Sequence, residues 1–324
     1  MKVLILEFAT LSHNTTIIHS RIAKVIYNYL RERGHKAEIY SLLEGCGIKN
    51  GNQNRDVVLG STYDCIVESY GSFYCNPFLY KTIREKSPNA RRVWLTIERM
   101  IVPYGANKKL NKFNAFISNL ETSVWPHEYY DDYWFVDMNL LIYNGRLNKE
   151  KVNERTKIPL YYGQVRKDRS KYFKKYIDKN VIVSTSKKNT RIMRDLGCNP
   201  MKFIGKLFWL KGKETLNRFK YSIYLEDETT HNNYNCMGTR FYECLDCNVI
   251  MFFDKNCQNT INRSGYIIDK FFIVSSTQEV LDKIEVLEKN PQMAETYLET
   301  NNQIAIKKKA EALDKIEKII IGTI

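Results

Sequence analysis

Arg240 and Glu243 stand three residues apart in Met237-Gly238-Thr239-Arg240-Phe241-Tyr242-Glu243, where the pattern reads as a polar loop giving way to a helix. That spacing puts both side chains on one helical face. Backbone N–H groups at a helix N-terminus, joined by a guanidinium, favour a phosphate, and a carboxylate one turn on can accept hydrogen bonds from a ribose diol. An intrahelical Arg–Glu pair, which contributes only ~0.5 kcal/mol on a surface, is the plain alternative. A second basic cluster lies in Tyr162-Gly163-Gln164-Val165-Arg166-Lys167-Asp168-Arg169-Ser170. Arg166 and Arg169, on a turn after a glycine, can grip a pyrophosphate from two sides; the alternative is a solvated loop. Glu98, just past the apolar run Arg92-Val93-Trp94-Leu95-Thr96-Ile97, is placed to act as a general base whose pKa is lifted by partial desolvation. Its alternative is a pair with Arg99 or a nearby lysine.

Other chemistries lack their marks. The chain contains no GxGxxG, no Walker-type loop and no GxSxG. Cys244-Leu245-Asp246-Cys247 is a CxxC without the further Cys or His that a zinc finger needs, so two apolar thiols on a helix explain it better and no metal site is expected. The five histidines are isolated, and His231, in a polar loop, is the one to watch.

These residues need a scaffold, and the chain reads as alternating strands and helices. A strand over Val3–Phe8 leads to a helix with Ile22, Val25, Ile26, Tyr29 and Leu30 on one face, which Gly34 stops. Strands follow at 37–42, 63–68, 92–97 and 113–119, with a helix over 79–86. A strand, helix and strand in succession require a parallel sheet, so this part reads as a doubly wound α/β domain. The polar segment 144–157 reads as a linker. Alternation then restarts with strands at 158–162, 181–184, 202–204, 221–225 and 249–253, and helices at 170–177, 188–196 and around 241–245. A Lys-rich amphipathic helix over 303–321 could pack anywhere, the first domain included. The expected architecture is α/β with two Rossmann-like domains: 1–150, 151–300, and a C-terminal helix in 301–324. A cleft between them would receive the carboxyl ends of both sets of strands, where such sheets bind ligands.

Composition sets limits. Hydrophobic residues are 44% and charged residues 27% of 324, which describes a folded globular chain. No apolar stretch approaches the ~18 residues of a membrane span, and Met1–Phe8 is too short and interrupted for a signal peptide. Fifty Lys and Arg against 36 Asp and Glu give a net charge of +14, which favours polyanionic partners. Eight scattered cysteines without a secretory signal suggest reduced thiols in a cytosolic setting.

On these residues the chain resembles the DNA β-glucosyltransferases of T-even bacteriophages. The resemblance runs from the first strand to the C-terminal helix. It is strongest over 221–254, where strand, loop, Arg-x-x-Glu helix and apolar strand recur in order. It implies a GT-B-type fold, with residues 1–150 binding the DNA acceptor and 151–300 the nucleotide sugar. Arg240 then resembles the phosphate-binding arginine, Glu243 the ribose-binding glutamate, and Arg166 and Arg169 two further diphosphate ligands whose family spacing is one residue longer. Lys206 and Leu207 resemble the backbone segment that recognises uracil. Glu98 stands where the family has its catalytic aspartate, Thr185 where it has a glycine near the donor, and Ile22 where it has a glutamate near the sugar.

The resemblance implies an inverting single displacement. Glu98 would take the proton of an acceptor hydroxyl as that oxygen attacks the anomeric carbon, and the arginines would stabilise the departing diphosphate. The donor would be a UDP-sugar (glucose, or a pentose such as arabinose), with Mg or Mn helpful but not obligatory. The acceptor would be 5-hydroxymethylcytosine in double-stranded DNA, flipped from the stack, with Arg91, Arg92, Lys108, Lys109 and Lys112 as candidate backbone contacts. A monomer working in the cytoplasm of an infected bacterium, where modified DNA evades restriction, completes the expectation. The runner-up is a transferase of the same build acting on a glycan or other small acceptor. A non-catalytic nucleic-acid-binding protein is the alternative from another class.

Overall fold

The computed structural model describes the chain apart from residues 8–17, 42–54, 70–76, 97–111, 122–128, 146–154, 164, 166–168, 208–213 and 227–234. The chain divides into two compact units, Met1–Ile142 with Lys309–Ile324, and Tyr143–Lys308.

The first unit is built on β1 (Lys2–Glu7), β2 (Lys36–Ser41), β3 (Cys65–Ser69), β4 (Arg91–Thr96), β5 (Phe113–Ser118) and β6 (Tyr130–Phe135). All pairings are parallel, in the order β2-β1-β3-β4-β5-β6. Helices α1 (Ile18–Glu32), α2 (Arg55–Gly60) and α3 (Pro77–Lys86) accompany the sheet. Ile22, Ile26 and Leu30 of α1 are buried at a spacing of four while Lys24 and Asn28 are exposed, and Gly34 follows with a φ of +86°. One part of the core gathers Leu4, Leu6, Tyr40, Tyr63, Ile66 and Ile83; another gathers Trp94, Phe113, Phe116 and Tyr130.

The second unit is built on β7 (Leu160–Tyr162), β8 (Ile182–Ser184), β9 (Lys202–Ile204), β10 (Tyr221–Tyr224), β11 (Ile250–Asp254) and β12 (Ile273–Val274). Its order is β12-β11-β10-β7-β8-β9, again all parallel. Its helices are α4 (Ser170–Tyr176), α5 (Lys187–Asp195), α6 (Thr239–Asp246), α7 (Gln258–Ser264) and α8 (Thr277–Lys289). The last helix, α9 (Pro291–Ile321), belongs to the second unit up to Lys308 and to the first from Lys309. Within the first unit its end is held by Glu317, paired with Arg33 at 3.0 Å, and by Arg91 Nε, which donates to the Ile319 carbonyl at 2.8 Å.

The strands expected from apolar runs appear within two residues of their predicted limits. The structure adds β6, whose two aspartates are exposed on an edge strand, where charge blocks further pairing. It also adds β12, α2, α7 and α8. Of the segment 144–157, Arg155 is buried, its Nη1 donating to the Cys247 carbonyl past the end of α6 at 2.7 Å.

Candidate functional site

In the second sheet the strand order reverses between β7 and β10: β8 and β9 continue one way from β7, β11 and β12 the other way from β10. The carboxyl ends of the strands at such a point flank a natural binding crevice. Here β7 leads into Gly163, and β10 leads into Leu225 and Glu226.

The side chains at this point converge. Arg240, the second residue of α6, sends Nη1 to the Tyr162 carbonyl (3.0 Å) and Nη2 to the Leu225 carbonyl (2.7 Å). The same Nη2 pairs with Glu226 Oε1, while Arg169 Nη2 pairs with Glu226 Oε2. One carboxylate therefore bridges two guanidiniums brought by different elements, and all three side chains are buried. Burial pulls the Arg240 pKa down, but the Glu226 carboxylate and the Tyr161 and Tyr224 rings more than reverse this, so the guanidinium stays charged. With all three groups ionised the cluster keeps one net positive charge, suited to an oxyanion.

Two glycines make room for this arrangement. A Cβ on Gly163 would lie 2.9 Å from Arg240 Nη1 and 3.2 Å from the Tyr161 hydroxyl, and one on Gly238 would lie 3.1 Å from Glu226 Oε1. Gly238 is also the N-cap of α6, and its N–H donates to the Tyr224 hydroxyl at 2.8 Å. The Tyr161 hydroxyl is buried and has no hydrogen-bond partner among the described residues. Glu243, one turn into α6, is 3% exposed and accepts from the Tyr162 hydroxyl at 3.1 Å. Burial, with Cys244 and Glu243 alongside, raises the Tyr162 pKa, so that hydroxyl remains a donor.

The same edge continues through β8 and β9. Thr185 Oγ1 donates to the Gly163 carbonyl (2.9 Å), and Ser184 Oγ donates to the Gly205 carbonyl (2.8 Å). Half-buried Lys206 and buried Leu207 follow directly, about 10 Å from β7 at two inter-strand spacings.

The structure thus brings Arg169, Arg240 and Glu243 together and sets Lys206 and Leu207 along the same edge. Arg166, Glu98, Lys108, Lys109 and His231 lie outside the described residues. Glu226 was missed as a site residue, although it follows a buried strand as directly as Glu98 does. Ile22 is buried in the core of the first unit.

The proposed DNA contacts need correction at Arg92. This side chain is buried against Glu68 (2.9 Å), donates to the Lys112 carbonyl (2.6 Å) and lies over the Phe113 ring (4.3 Å). Its charge is engaged inside the fold. Arg91 and Lys112 share its place at the amino ends of β4 and β5, with Lys112 paired to Asp131. Glu98 follows the opposite, carboxyl end of β4.

Among the described residues no group of three His, Cys, Asp or Glu could hold a metal ion. Burial pushes the Cys244 thiol up to about 12, away from the thiolate a metal would need. No helix among the described residues is long and apolar enough to cross a membrane.

No family model matches the chain, and no curated protein matches it. Solved structures do. The structure of the T4 phage β-glucosyltransferase with its UDP-glucose substrate aligns over 99% of both chains with a TM-score of 0.71 and 17% identity. Another of that enzyme, with UDP and Mn2+, aligns over 99% of both at 0.67 and 16%. An α-glucosyltransferase in complex with UDP-glucose and DNA containing an abasic site aligns over 99% of both at 0.70 and 10%. At these identities the likeness is one of fold: two parallel α/β sheets in one chain, the GT-B arrangement of these neighbours.

Proposed function

We propose that this chain is an inverting glycosyltransferase that moves a sugar from a UDP-sugar to the hydroxymethyl group of a modified cytosine in duplex DNA. The observation that carries the reading is the pair of buried arginines, Arg169 and Arg240, converging at the point where the second sheet reverses its strand order. Two fixed guanidiniums beside a helix N-terminus offer a diphosphate two charge-assisted donors. Glu243 then faces the ribose, and the 205–207 segment faces the uracil.

The chemistry follows from these posts. Glu98 takes the hydroxymethyl proton while that oxygen forms its bond to the anomeric carbon. The bond from that carbon to the diphosphate oxygen breaks, and the electron pair leaves with UDP. Arg169 and Arg240, with Arg166, stabilise the charge growing on that oxygen and involve no reorganisation at the moment of reaction. Because the guanidiniums supply this charge, Mg2+ or Mn2+ assists without being obligatory. The acceptor base leaves the stack to reach the donor, and Lys108 and Lys109, close in sequence to Glu98, contact the DNA backbone. On this reading the reaction takes place in the cytoplasm of an infected bacterium.

The test is release of UDP from UDP-glucose and UDP-arabinose, with hydroxymethylcytosine duplex, unmodified duplex, small sugar acceptors or no acceptor present. Release that requires the modified duplex supports the reading. Release driven equally by small sugar acceptors would move the chain to another acceptor class.

A further inference from the structure

The positive charge of the chain is unevenly spread. Residues 170–202 carry seven Lys and two Arg against two Asp, a net +7, so half of the chain's +14 lies in about a tenth of its length. This stretch contains α4, β8 and α5, and all nine cations are exposed. The two helices are consecutive crossovers in one direction along the sheet, which sets them side by side on one face. Lys174 of α4 confirms the neighbourhood, with its Cε 3.9 Å from the Cβ position of Gly197 just past α5.

The charges at the start of α5 work against that helix. Lys187 and Lys188 occupy the first turn of α5, which has no acidic residue, and so oppose the helix dipole. Arg191 follows them at i+4 and i+3, and Arg194 follows Arg191 at i+3, where like charges repel. On the same unit Lys157 and Lys220 pair with Glu288, and Lys283 pairs with Glu279. Among the described residues Lys174, Lys175, Lys187, Lys188 and Arg191 make no such ion pair. A polyanion laid across this face would relieve the repulsion.

The face also begins where the candidate site ends. Arg169 is the N-cap of α4, and Thr185, two residues before α5, bonds the Gly163 carbonyl. The nine residues of α5 extend about 13 Å, a length of duplex axis carrying about eight phosphate charges.

We propose that the outer face of α4 and α5 is a docking surface for the phosphate backbone of double-stranded DNA, placed on the nucleotide-binding unit itself. This rests on the reading that duplex DNA is the acceptor. It predicts contacts distinct from Lys108 and Lys109.

The test compares Lys187→Ala/Lys188→Ala/Arg191→Ala with Lys255→Ala/Lys270→Ala/Lys289→Ala, three exposed lysines of the same unit that remove the same charge elsewhere. Binding of a fluorescent 20-bp duplex is followed by anisotropy at several salt concentrations, and UDP binding by calorimetry reports an intact fold. The first triple is expected to make the slope of log K against log salt shallower by about 2–3 and to weaken DNA binding roughly 10- to 100-fold, with UDP affinity unchanged. The second triple is expected to leave the slope within about half a unit. Equal effects of the two triples, or none from the first, would overturn the surface while leaving DNA as acceptor. Wild-type protein that binds UDP but no duplex would overturn the acceptor reading and the surface together. Loss of binding to phosphatidylglycerol vesicles without loss of DNA binding would assign the face to lipid instead.

Discussion

Gly163→Ala probes the candidate site without removing a charge. The new Cβ would sit 2.9 Å from Arg240 Nη1 and 3.2 Å from the Tyr161 hydroxyl, while Arg169 Nη1, at 3.6 Å, stays in ordinary contact. The φ of +157° is also one that L side chains rarely adopt. Arg240 must therefore give way, and the Nη1 that moves is the one donating to the Tyr162 carbonyl at 3.0 Å. Overpacking of this kind destabilises by about 1–3 kcal/mol. Misplacing the guanidinium removes a charge-assisted hydrogen bond to the diphosphate, about 1.5–3 kcal/mol, which is roughly a 10- to 150-fold rise in Kd for UDP. Calorimetric titration reads the affinity and thermal denaturation the stability, so a folded protein with weakened binding is the expected outcome. A folded Gly163→Ala protein whose UDP affinity lies within twofold of wild type would refute the placement of the diphosphate beside Arg240.

Three further outcomes are expected. Glu226→Gln leaves two buried guanidiniums without their carboxylate, about 3–5 kcal/mol of destabilisation; saturating UDP should raise its Tm more than that of wild type, and equal shifts would mean that the anion does not take over the carboxylate's role. Glu243→Ala should weaken UDP binding more than pyrophosphate binding, whereas equal losses would contradict the ribose assignment. Glu288 is partly desolvated, which raises its pKa, but Lys157, Lys220 and Tyr221 outweigh this and hold it at about 2. A depressed carboxylate contributes stability above its unfolded pKa, about 4.3, and loses it as pH falls through the folded value. The urea midpoint of wild type should therefore fall between pH 4.5 and 2 more steeply than that of Glu288→Gln, and parallel profiles would remove that group from the acid response.

Much of this arrangement was legible because buried parallel strands are written as continuous apolar runs. Val93-Trp94-Leu95 and Ile250-Met251-Phe252-Phe253 are buried throughout and were readable without a partner. Tyr130-Asp131-Asp132-Tyr133-Trp134-Phe135 was not, since an edge strand keeps its polar residues exposed and breaks the pattern. The start of α9 at Pro291 was hidden by the polar stretch Glu299-Thr300-Asn301-Asn302. Asn301 is in fact fully buried, with Nδ2 donating to the Ile267 carbonyl at 3.0 Å, so tertiary packing overrides a weak helix former. At the site, Arg240 and Glu243 were readable from their helical spacing. Glu226 was not, because its role as a bridge depends on where β7 and β10 meet. Arg92 misled for a related reason: a cation in a basic sequence looks available until its buried carboxylate is known.

The central claim is tested most directly by the mass of nucleosides recovered from hydroxymethylcytosine duplex after incubation with a UDP-sugar and either wild-type protein or Glu98→Gln. Wild-type protein should add a single hexose or pentose increment to 5-hydroxymethyl-2′-deoxycytidine. The variant should react at least about 100-fold more slowly, the typical contribution of a general base, while still binding UDP. An increment formed equally fast by Glu98→Gln, or none from a wild-type protein that binds UDP and the duplex, would contradict it.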